Sequence, residues 1–138
     1  MNRYLLDTDV VVEIMRGRRR SVVERLAVTR RDDVALSVIT VAELFFGAHR
    51  SRNSVRNMTL CREFCDSFHV LPLTSAAAQR SAAARAELES SGARIGAYDV
   101  LIAGIALAED CILATHNIRE FGRIPNLQTE DWIGSSPE

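Results

Sequence analysis

The chain has 138 residues, of which 47% are hydrophobic and 25% charged, so we expect one globular domain with its own core. No apolar stretch approaches the roughly 20 residues of a membrane helix. The start of the chain lacks a signal-peptide pattern, and the expected location is therefore the cytoplasm. The net charge of −1 gives no general attraction to nucleic acid. All 17 basic residues are arginine, which excludes mechanisms that need a catalytic lysine.

Apolar periodicity predicts short buried strands that alternate with helices. Strands are predicted at 3–7, 34–37, 69–73, 111–115 and 127–132, and helices at 10–15, 21–30, 40–50, 54–68, 75–90 and 97–109. This alternation is typical of a parallel sheet with helices on both faces. We therefore predict a single α/β domain over residues 1–133, followed by a mobile tail at 134–138.

Three acidic residues lie beside segments that should be buried. Asp7 ends the first strand, Glu43 lies within an apolar helix, and Asp99 begins the most apolar helix. An unpaired buried carboxylate is costly, and ligands of parallel sheets gather at the carboxyl ends of the strands. We therefore predict that the three carboxylates converge on a divalent cation at one edge of the sheet.

Each acid also has a structural explanation. Thr40 and Glu43 have the spacing of a capping box, and Asp9 could cap the first helix. Asp99 could simply favour the positive end of its helix dipole. Asp7 helps no obvious cap, which makes it the strongest functional candidate of the three.

The segment after the predicted strand at 111–115 offers further polar groups. Thr115 and Asn117 could supply neutral oxygens to a metal ion or to its waters, although the segment could also be an ordinary turn. His116 is a candidate base by residue type, but we expect an exposed turn histidine.

Arginine is concentrated in two groups, 16–20 and 50–56. Each group could be a solvated surface or a set of phosphate contacts beside the acids. A nuclease needs a metal for its chemistry and cations for the nucleic-acid backbone. We assign RNA binding to Arg18, Arg19 and Arg20.

Four short motifs, taken in order, resemble those of PIN-domain ribonucleases, and more narrowly those of the VapC toxins of bacterial VapBC toxin–antitoxin modules. They lie at 6–9, 42–44, 98–103 and 115–121, and the resemblance runs from Leu5 to about Trp132. It implies a three-layer α/β/α fold around a central parallel sheet and RNA cleavage that depends on Mg²⁺ or Mn²⁺. It also implies a homodimer, inhibition by a small VapB-like antitoxin, and a higher-order complex of the two proteins.

The resemblance also implies roles for individual residues. Asp7, Glu43 and Asp99 match the metal-binding acids of the family, and Asn117 stands at a fourth catalytic position where an acid is common. The asparagine leaves open whether the site holds one metal ion or two. Support could come from four neighbouring residues: Thr8, Asp9, Thr115 and Glu120.

Three other functions compete with this interpretation. The segment 7–11 also resembles the first motif of haloacid-dehalogenase phosphatases, but Asp99 opens a helix instead of ending a strand. A phosphate-accepting receiver domain would need a lysine. The third alternative is an inactive PIN-like module that only binds a partner. In the toxin interpretation, some of the apolar surface at 10–12, 44–46, Phe64 and Phe68 would form a dimer interface and an antitoxin groove.

Overall fold

The computed structural model describes residues 3–134. This part of the chain contains five strands and seven α-helices. The strands are β1 (Tyr4–Leu6), β2 (Val34–Ser37), β3 (His69–Leu71), β4 (Ile112–Ala114) and β5 (Thr129–Glu130), and the helices are α1 (Thr8–Arg16), α2 (Arg20–Val28), α3 (Val38–Arg50), α4 (Ser54–Asp66), α5 (Ser75–Ser90), α6 (Ala97–Ala108) and α7 (Ile118–Phe121).

The five strands form one parallel sheet in the order β3-β2-β1-β4-β5. The chain therefore builds the sheet outwards from β1 to one side and then continues on the other side with β4. Leu6 at the end of β1 pairs with Leu36 in β2 and with Ala114 in β4. The carboxyl ends of β1 and β4 thus lie side by side where the strand order reverses, which is the usual ligand site of an open α/β sheet.

Helices cover both faces of the sheet because successive strand residues point to opposite sides. Tyr4 and Leu6 pack into a core shared with α1, α2, α3 and α4, whereas Leu5 packs into a second core with α5 and α6. All three residues are buried. The predicted three-layer α/β/α fold is confirmed.

Helices α5 and α6 approach each other closely at Gly104. A Cβ atom built on Gly104 would overlap the Ser81 hydroxyl and lie 2.5 Å from the Ala77 carbonyl oxygen. Only glycine fits at this crossing, because the obstacle includes the backbone of α5. The hydroxyl of Ser81 is itself satisfied by the carbonyl of Ala77, at 3.1 Å.

The structure differs from the predicted elements at three places. Helix α1 begins at Thr8, directly after β1, and part of the predicted turn at 115–121 forms α7. Strand β5 has only two residues, because the Asp131 carboxylate accepts hydrogen bonds from the backbone of Ile133 and Gly134 and turns the chain away. Apart from Gly134, the predicted tail lies outside the described residues. Across residues 3–134, no helix has both the length and the apolar character needed to cross a bilayer.

Candidate active site

Asp7 lies at the point where the strand order reverses. It follows β1 directly, and its backbone N–H donates to the carbonyl of Ala114 at 2.8 Å, which extends the β1–β4 pairing by one residue. Its carboxylate accepts a hydrogen bond from the Thr8 backbone N–H at 2.9 Å and from the Thr115 hydroxyl at 2.7 Å. Asp7 is therefore also the N-cap of α1, contrary to the expectation that it serves no cap.

The Asp7 carboxyl group is only 4% exposed. Burial, followed by the nearby charge of Asp9, raises its pKa to about 8, although the hydrogen bond from Thr115 acts in the opposite direction. A carboxylate in this position lacks the positive charge that would stabilise its ionised form. A cation bound next to Asp7 would therefore stabilise its ionised carboxylate.

Asp9 lies in the first turn of α1, where it does not act as the predicted cap. Its Oδ1 atom is buried and has no hydrogen-bond partner among the described residues. Burial is the main cause that raises the pKa of this carboxyl group. Buried oxygens without partners are rare in folded proteins and call for an explanation such as an ion or a water molecule.

Glu43 reaches the site from α3. Its Oε1 atom accepts a hydrogen bond from the Thr8 hydroxyl at 2.7 Å, and the same hydroxyl lies 3.0 Å from that of Thr40. The capping-box explanation is wrong, because α3 is capped by Ser37, whose hydroxyl accepts from the Thr40 backbone N–H at 3.0 Å. Glu43 therefore does not cap α3, and the Thr8 hydroxyl holds its side chain at the site.

Asp99 lies in the first turn of α6 and is half-buried. Burial, and then the charges of Glu120, Glu43 and Asp9, raise its pKa to about 6. The acids therefore feel one another through space. Such mutual repulsion between carboxylates is relieved by a shared proton or cation.

The carboxylates line one cavity of about 480 Å³. This acidic cavity is lined by Asp7, Thr8, Asp9, Val12, Glu13, Arg16, Arg19, Glu43, Asp99, His116, Asn117 and Ile133. The structure thus brings together the three predicted acids, Asp9 and Asn117. Glu13 was not predicted from the sequence, and its ion-pair contact with Arg16 is 3.9 Å long.

Asn117, at the fourth predicted catalytic position, and its neighbour Thr115 make different contacts. Asn117 lines the acidic cavity, and its side-chain amide donates to the Glu120 carboxylate at 2.8 Å. Thr115 is fully buried and does not line the cavity. Its hydroxyl donates to Asp7 and accepts from the Asn117 backbone N–H at 3.0 Å. Thr115 therefore connects Asp7 to the backbone at Asn117, instead of offering its oxygen to the cavity.

Among the predicted RNA-binding arginines, only Arg19 lines the acidic cavity, together with Arg16. Arg20 begins α2 and lies 3.9 Å from Glu24, and Arg18 is exposed in the loop between α1 and α2. This difference arises because Arg16 ends α1 on its cavity side, while α2 starts at Arg20 and leads away. The sequence could place the arginine group near the site but not choose among its members.

His116 and Asp131 form a pair that the sequence did not reveal. The Nδ1 atom of His116 lies 3.2 Å from both carboxylate oxygens of Asp131, and His116 lines the acidic cavity. Half of the His116 side chain is exposed, as expected for a turn histidine. The two residues are 15 positions apart, so only the pairing of β4 with β5 brings them together.

The residues of the acidic cavity fit a hard divalent cation. Carboxylate oxygens are its preferred ligands, and the buried Oδ1 of Asp9 has no partner among the described residues. Across residues 3–134, no three His, Cys, Asp or Glu side chains are grouped so that they could hold a metal ion together. Mg²⁺ does not need such a group, since it commonly binds through one or two carboxylates and keeps several waters.

Comparison with known proteins places the chain in a family. The PIN domain matches residues 4–127. A tRNA(fMet)-specific endonuclease VapC from Shigella flexneri is 35% identical over 132 residues, which cover 96% of this chain and 99% of that protein. Ribonuclease VapC2 from Haemophilus influenzae is 34% identical, over 96% of this chain and 100% of that protein.

Solved structures agree with the sequence comparison. A DNA-bound VapBC from Salmonella typhimurium contains a chain that matches with a TM-score of 0.90 and 33% identity, over 96% of this chain and 99% of that chain. The chain belongs to the PIN-domain family. The sequence motifs had already indicated the narrower assignment, and it is confirmed: within that family this is a ribonuclease toxin of the VapC type. The phosphatase alternative is therefore wrong.

Proposed function

We propose that the protein is a ribonuclease toxin whose acidic cavity binds a divalent cation and hydrolyses phosphodiester bonds of RNA. PIN-domain ribonucleases generally depend on a divalent metal, and here we propose Mg²⁺ or Mn²⁺. Asp7, Glu43 and Asp99 would hold the ion, with Asn117 at the fourth position. One observation carries the proposal: Asp7 after β1, Glu43 on α3 and Asp99 on α6 line a single cavity, and the pKa of Asp7 is raised to about 8 and that of Asp99 to about 6.

The residues around the carboxylates prepare them for this task. The bound ion would lower the pKa of a water molecule and polarise the phosphate. Thr115 and the Thr8 backbone fix Asp7, and the Thr8 hydroxyl fixes Glu43. Arg16 and Arg19 add positive charge at the cavity for the RNA backbone. Asp9, with its unpartnered oxygen, would accept from a metal-bound water and so support the first three acids.

We propose transfer RNA as the first substrate class to test, because the relative from Shigella flexneri is named for cleavage of a tRNA. The cytoplasm, where such RNA is found, is the proposed site of action.

An antitoxin segment would bind in an apolar groove beside the acidic cavity. The groove is lined by Val12, Met15, Leu44, Gly47, Ala48, Leu60 and Cys61, and it shares Thr8, Val12, Arg16 and Glu43 with the acidic cavity. A peptide in the groove could therefore place a basic side chain against the carboxylates. The neighbouring Phe46 and Val55 are 62% and 79% exposed, as expected of residues that await a partner.

Only some of the apolar surface considered for the interface is available for it, because Val10, Val11 and Phe68 are buried in the core. The exposed apolar surface at α3 and α4 is left for a homodimer or an antitoxin, and the fold matches chains from structures of VapBC complexes.

Metal removal tests the proposed function directly. Purified protein should cleave a labelled tRNA in the presence of Mg²⁺ or Mn²⁺, lose cleavage in EDTA, and regain it when the metal is restored. Undiminished cleavage in EDTA would refute the metal site. A contaminating nuclease is excluded by the Asp99→Asn variant, which should remain inactive at every metal concentration.

A further inference from the structure

A second cavity lies next to the acidic cavity and is lined mainly by arginine. This arginine cleft has a volume of about 380 Å³ and is lined by Arg94, Asn117, Arg119, Glu120 and Arg123. Asn117 also lines the acidic cavity, so the two cavities are contiguous at that residue. The cleft draws on α7, on the loop after it, and on the loop before α6, and therefore not on the elements that carry Arg16 and Arg19.

Arg123 is fixed in the cleft without being neutralised. Its Nη2 atom donates to the Arg94 backbone carbonyl at 2.7 Å, and its Nε atom donates to the Glu120 backbone carbonyl at 3.2 Å. Both acceptors are uncharged, and a guanidinium has five N–H donors. The side chain thus keeps a full positive charge and spare donors in a preset position.

The other two arginines of the cleft also lack close counter-ions. Within residues 3–134, the arginines that lie within 4.0 Å of a carboxylate are all outside the cleft: Arg16, Arg20, Arg25, Arg30 and Arg85. Arg94 and Arg119 are exposed and have no such partner in that part of the chain. Three positive side chains therefore share the cleft with one carboxylate, that of Glu120.

The carboxylate of Glu120 does not cancel this charge locally. Its Oε2 atom accepts from the Asn117 amide at 2.8 Å, and its charge contributes to the raised pKa of Asp99. Glu120 lines the cleft, but its Oε2 atom is held toward Asn117, the residue that the two cavities share. The side of the cleft away from Asn117 is left basic, and a basic cleft with fixed guanidinium donors is suited to phosphate.

We propose that the arginine cleft is a phosphate subsite, which binds an RNA phosphate neighbouring the one that lies at the acidic cavity. The subsite rests on the proposed ribonuclease function and specifies how the strand is held. Carboxylates at the centre repel the RNA backbone, so the strand needs cations beside the reacting phosphate. Arg16 and Arg19 supply them from α1 and its loop, and the arginine cleft supplies them from α7 and the loops beside it.

A double variant tests the subsite without disturbing the fold. Arg94→Gln with Arg119→Gln removes two charges but keeps the anchor of Arg123, which uses the backbone carbonyl of Arg94. The matched control is Arg62→Gln with Arg80→Gln, two exposed arginines on α4 and α5 that line neither cavity. Both variants change the net charge equally.

RNA affinity is measured as a function of salt for a single-stranded RNA that the wild-type protein cleaves. Each lost phosphate contact should reduce the slope of log K against log salt by about 0.7, so the cleft variant, which weakens one such contact, should flatten it by up to about 0.7. The control should keep the wild-type slope. Equal slopes for the cleft variant and the control would overturn the subsite.

Methylphosphonate substitution identifies the phosphate concerned. In the wild-type protein, neutralising one phosphate beside the cleavage position should weaken binding. In the cleft variant, that same substitution should have a clearly smaller effect, because only Arg123 is left to contact the phosphate. An additive loss in the cleft variant would count against the subsite, as would a wild-type profile without a sensitive neighbour. If the wild-type protein neither binds nor cleaves RNA, the proposed ribonuclease function itself is wrong. This outcome is distinct from the two outcomes that count against the subsite alone.

Discussion

The acidic cavity and the crossing of α5 with α6 are built in opposite ways. At the helix crossing, Gly104 lets two helices touch, and the Ser81 hydroxyl bonds to the Ala77 carbonyl. At the acidic cavity, the Asp9 oxygen lacks a partner in the described chain, and burial raises the pKa of Asp7. The polar groups at the helix crossing are paired within the chain, whereas at the acidic cavity an oxygen of Asp9 is left without a partner among the described residues.

The comparison shows that different parts of the domain provide its stability and its activity. The helices on the faces of the sheet stabilise the fold, whereas the acidic cavity lies at one edge of the sheet. The apolar helices around Gly104 can stabilise the fold because nothing there has to change when a ligand binds. In the proposed function, the carboxylates would destabilise the free protein and a bound cation would offset this cost, because binding to the native state alone shifts the folding equilibrium. Substitutions in the two regions should therefore affect different measurements.

Asp7→Asn should have the largest effect, and it should act on catalysis. The amide keeps the shape of the side chain but cannot balance a cation, so we expect the cleavage rate to fall by at least about 10²–10³-fold, as when one electrostatic group is removed from an active site. Without metal, the melting temperature should stay the same or rise, because a buried ionisable group is lost. Asp66→Asn, an exposed acid on α4, is the control. A variant that unfolds would instead assign Asp7 a mainly structural role.

Gly104→Ala should reverse that pattern. The new methyl group meets the backbone of α5, so we expect the free energy of unfolding to fall by about 1–3 kcal/mol, the usual cost of overpacking. Cleavage per folded molecule should be unchanged. Gly47→Ala in α3 is the matched control, since nothing lies within 4 Å of its Cβ position, and it should gain up to about 1 kcal/mol. Urea unfolding compares the two variants, and equal stability would contradict the close approach.

Thr115→Val should have a smaller effect that falls on both measurements. Valine fills the same volume but removes the hydroxyl that donates to Asp7 and accepts from the Asn117 backbone. Loss of a group that orients a metal ligand typically costs about 10–100-fold in activity or metal affinity. Metal affinity is measured by calorimetry beside the cleavage rate. Thr59→Val, on the exposed face of α4, should change neither quantity.

The pH dependence of stability reports on the acidic cavity without any substitution. The pKa of Asp7 is about 8 and that of Asp99 about 6, whereas both are near 3.8 in an unfolded chain. The unfolded chain therefore loses these protons first, and rising pH between about 4 and 8 should lower the stability of the metal-free protein. Melting curves in EDTA measure this trend, which should be shallower for Asp7→Asn.

Added Mg²⁺ should oppose the trend, because the cation replaces the protons that the carboxylates retain. The rise in melting temperature on adding Mg²⁺ should thus be larger at pH 8 than at pH 6. Ca²⁺ at the same concentration controls for general charge screening. A rise that is equal at both pH values would show that the raised pKa values do not report on the metal site.

The sequence was sufficient for the layers and for the acids, because both follow local rules. The apolar residues Leu5 and Leu6 indicated a buried strand. Packing in a core could not explain the charge of Asp7 at the end of that strand. The role of Thr115 could not be read in the same way, since a threonine after a strand can face a cavity or its neighbour. Only the pairing of β1 with β4 decides that it faces Asp7.

Other features depended on contacts between distant parts of the chain. The capping box at Thr40 failed because Ser37 is an equally good cap three residues earlier. The pair of His116 with Asp131 and the arginine cleft both require β4, α7 and the segments beside them to be folded. Motifs within one element were therefore predictable, whereas residues that meet across elements were not.

The wall of the acidic cavity includes Ile133, and Ser21 holds this segment through the Ile133 carbonyl at 2.8 Å. Asp7 precedes Ile133 by more than a hundred positions in the sequence. Translation runs from one to the other, so a nascent chain that carries only the early acids does not yet have a finished cavity. Completion of the cavity therefore waits until Ile133 has been made.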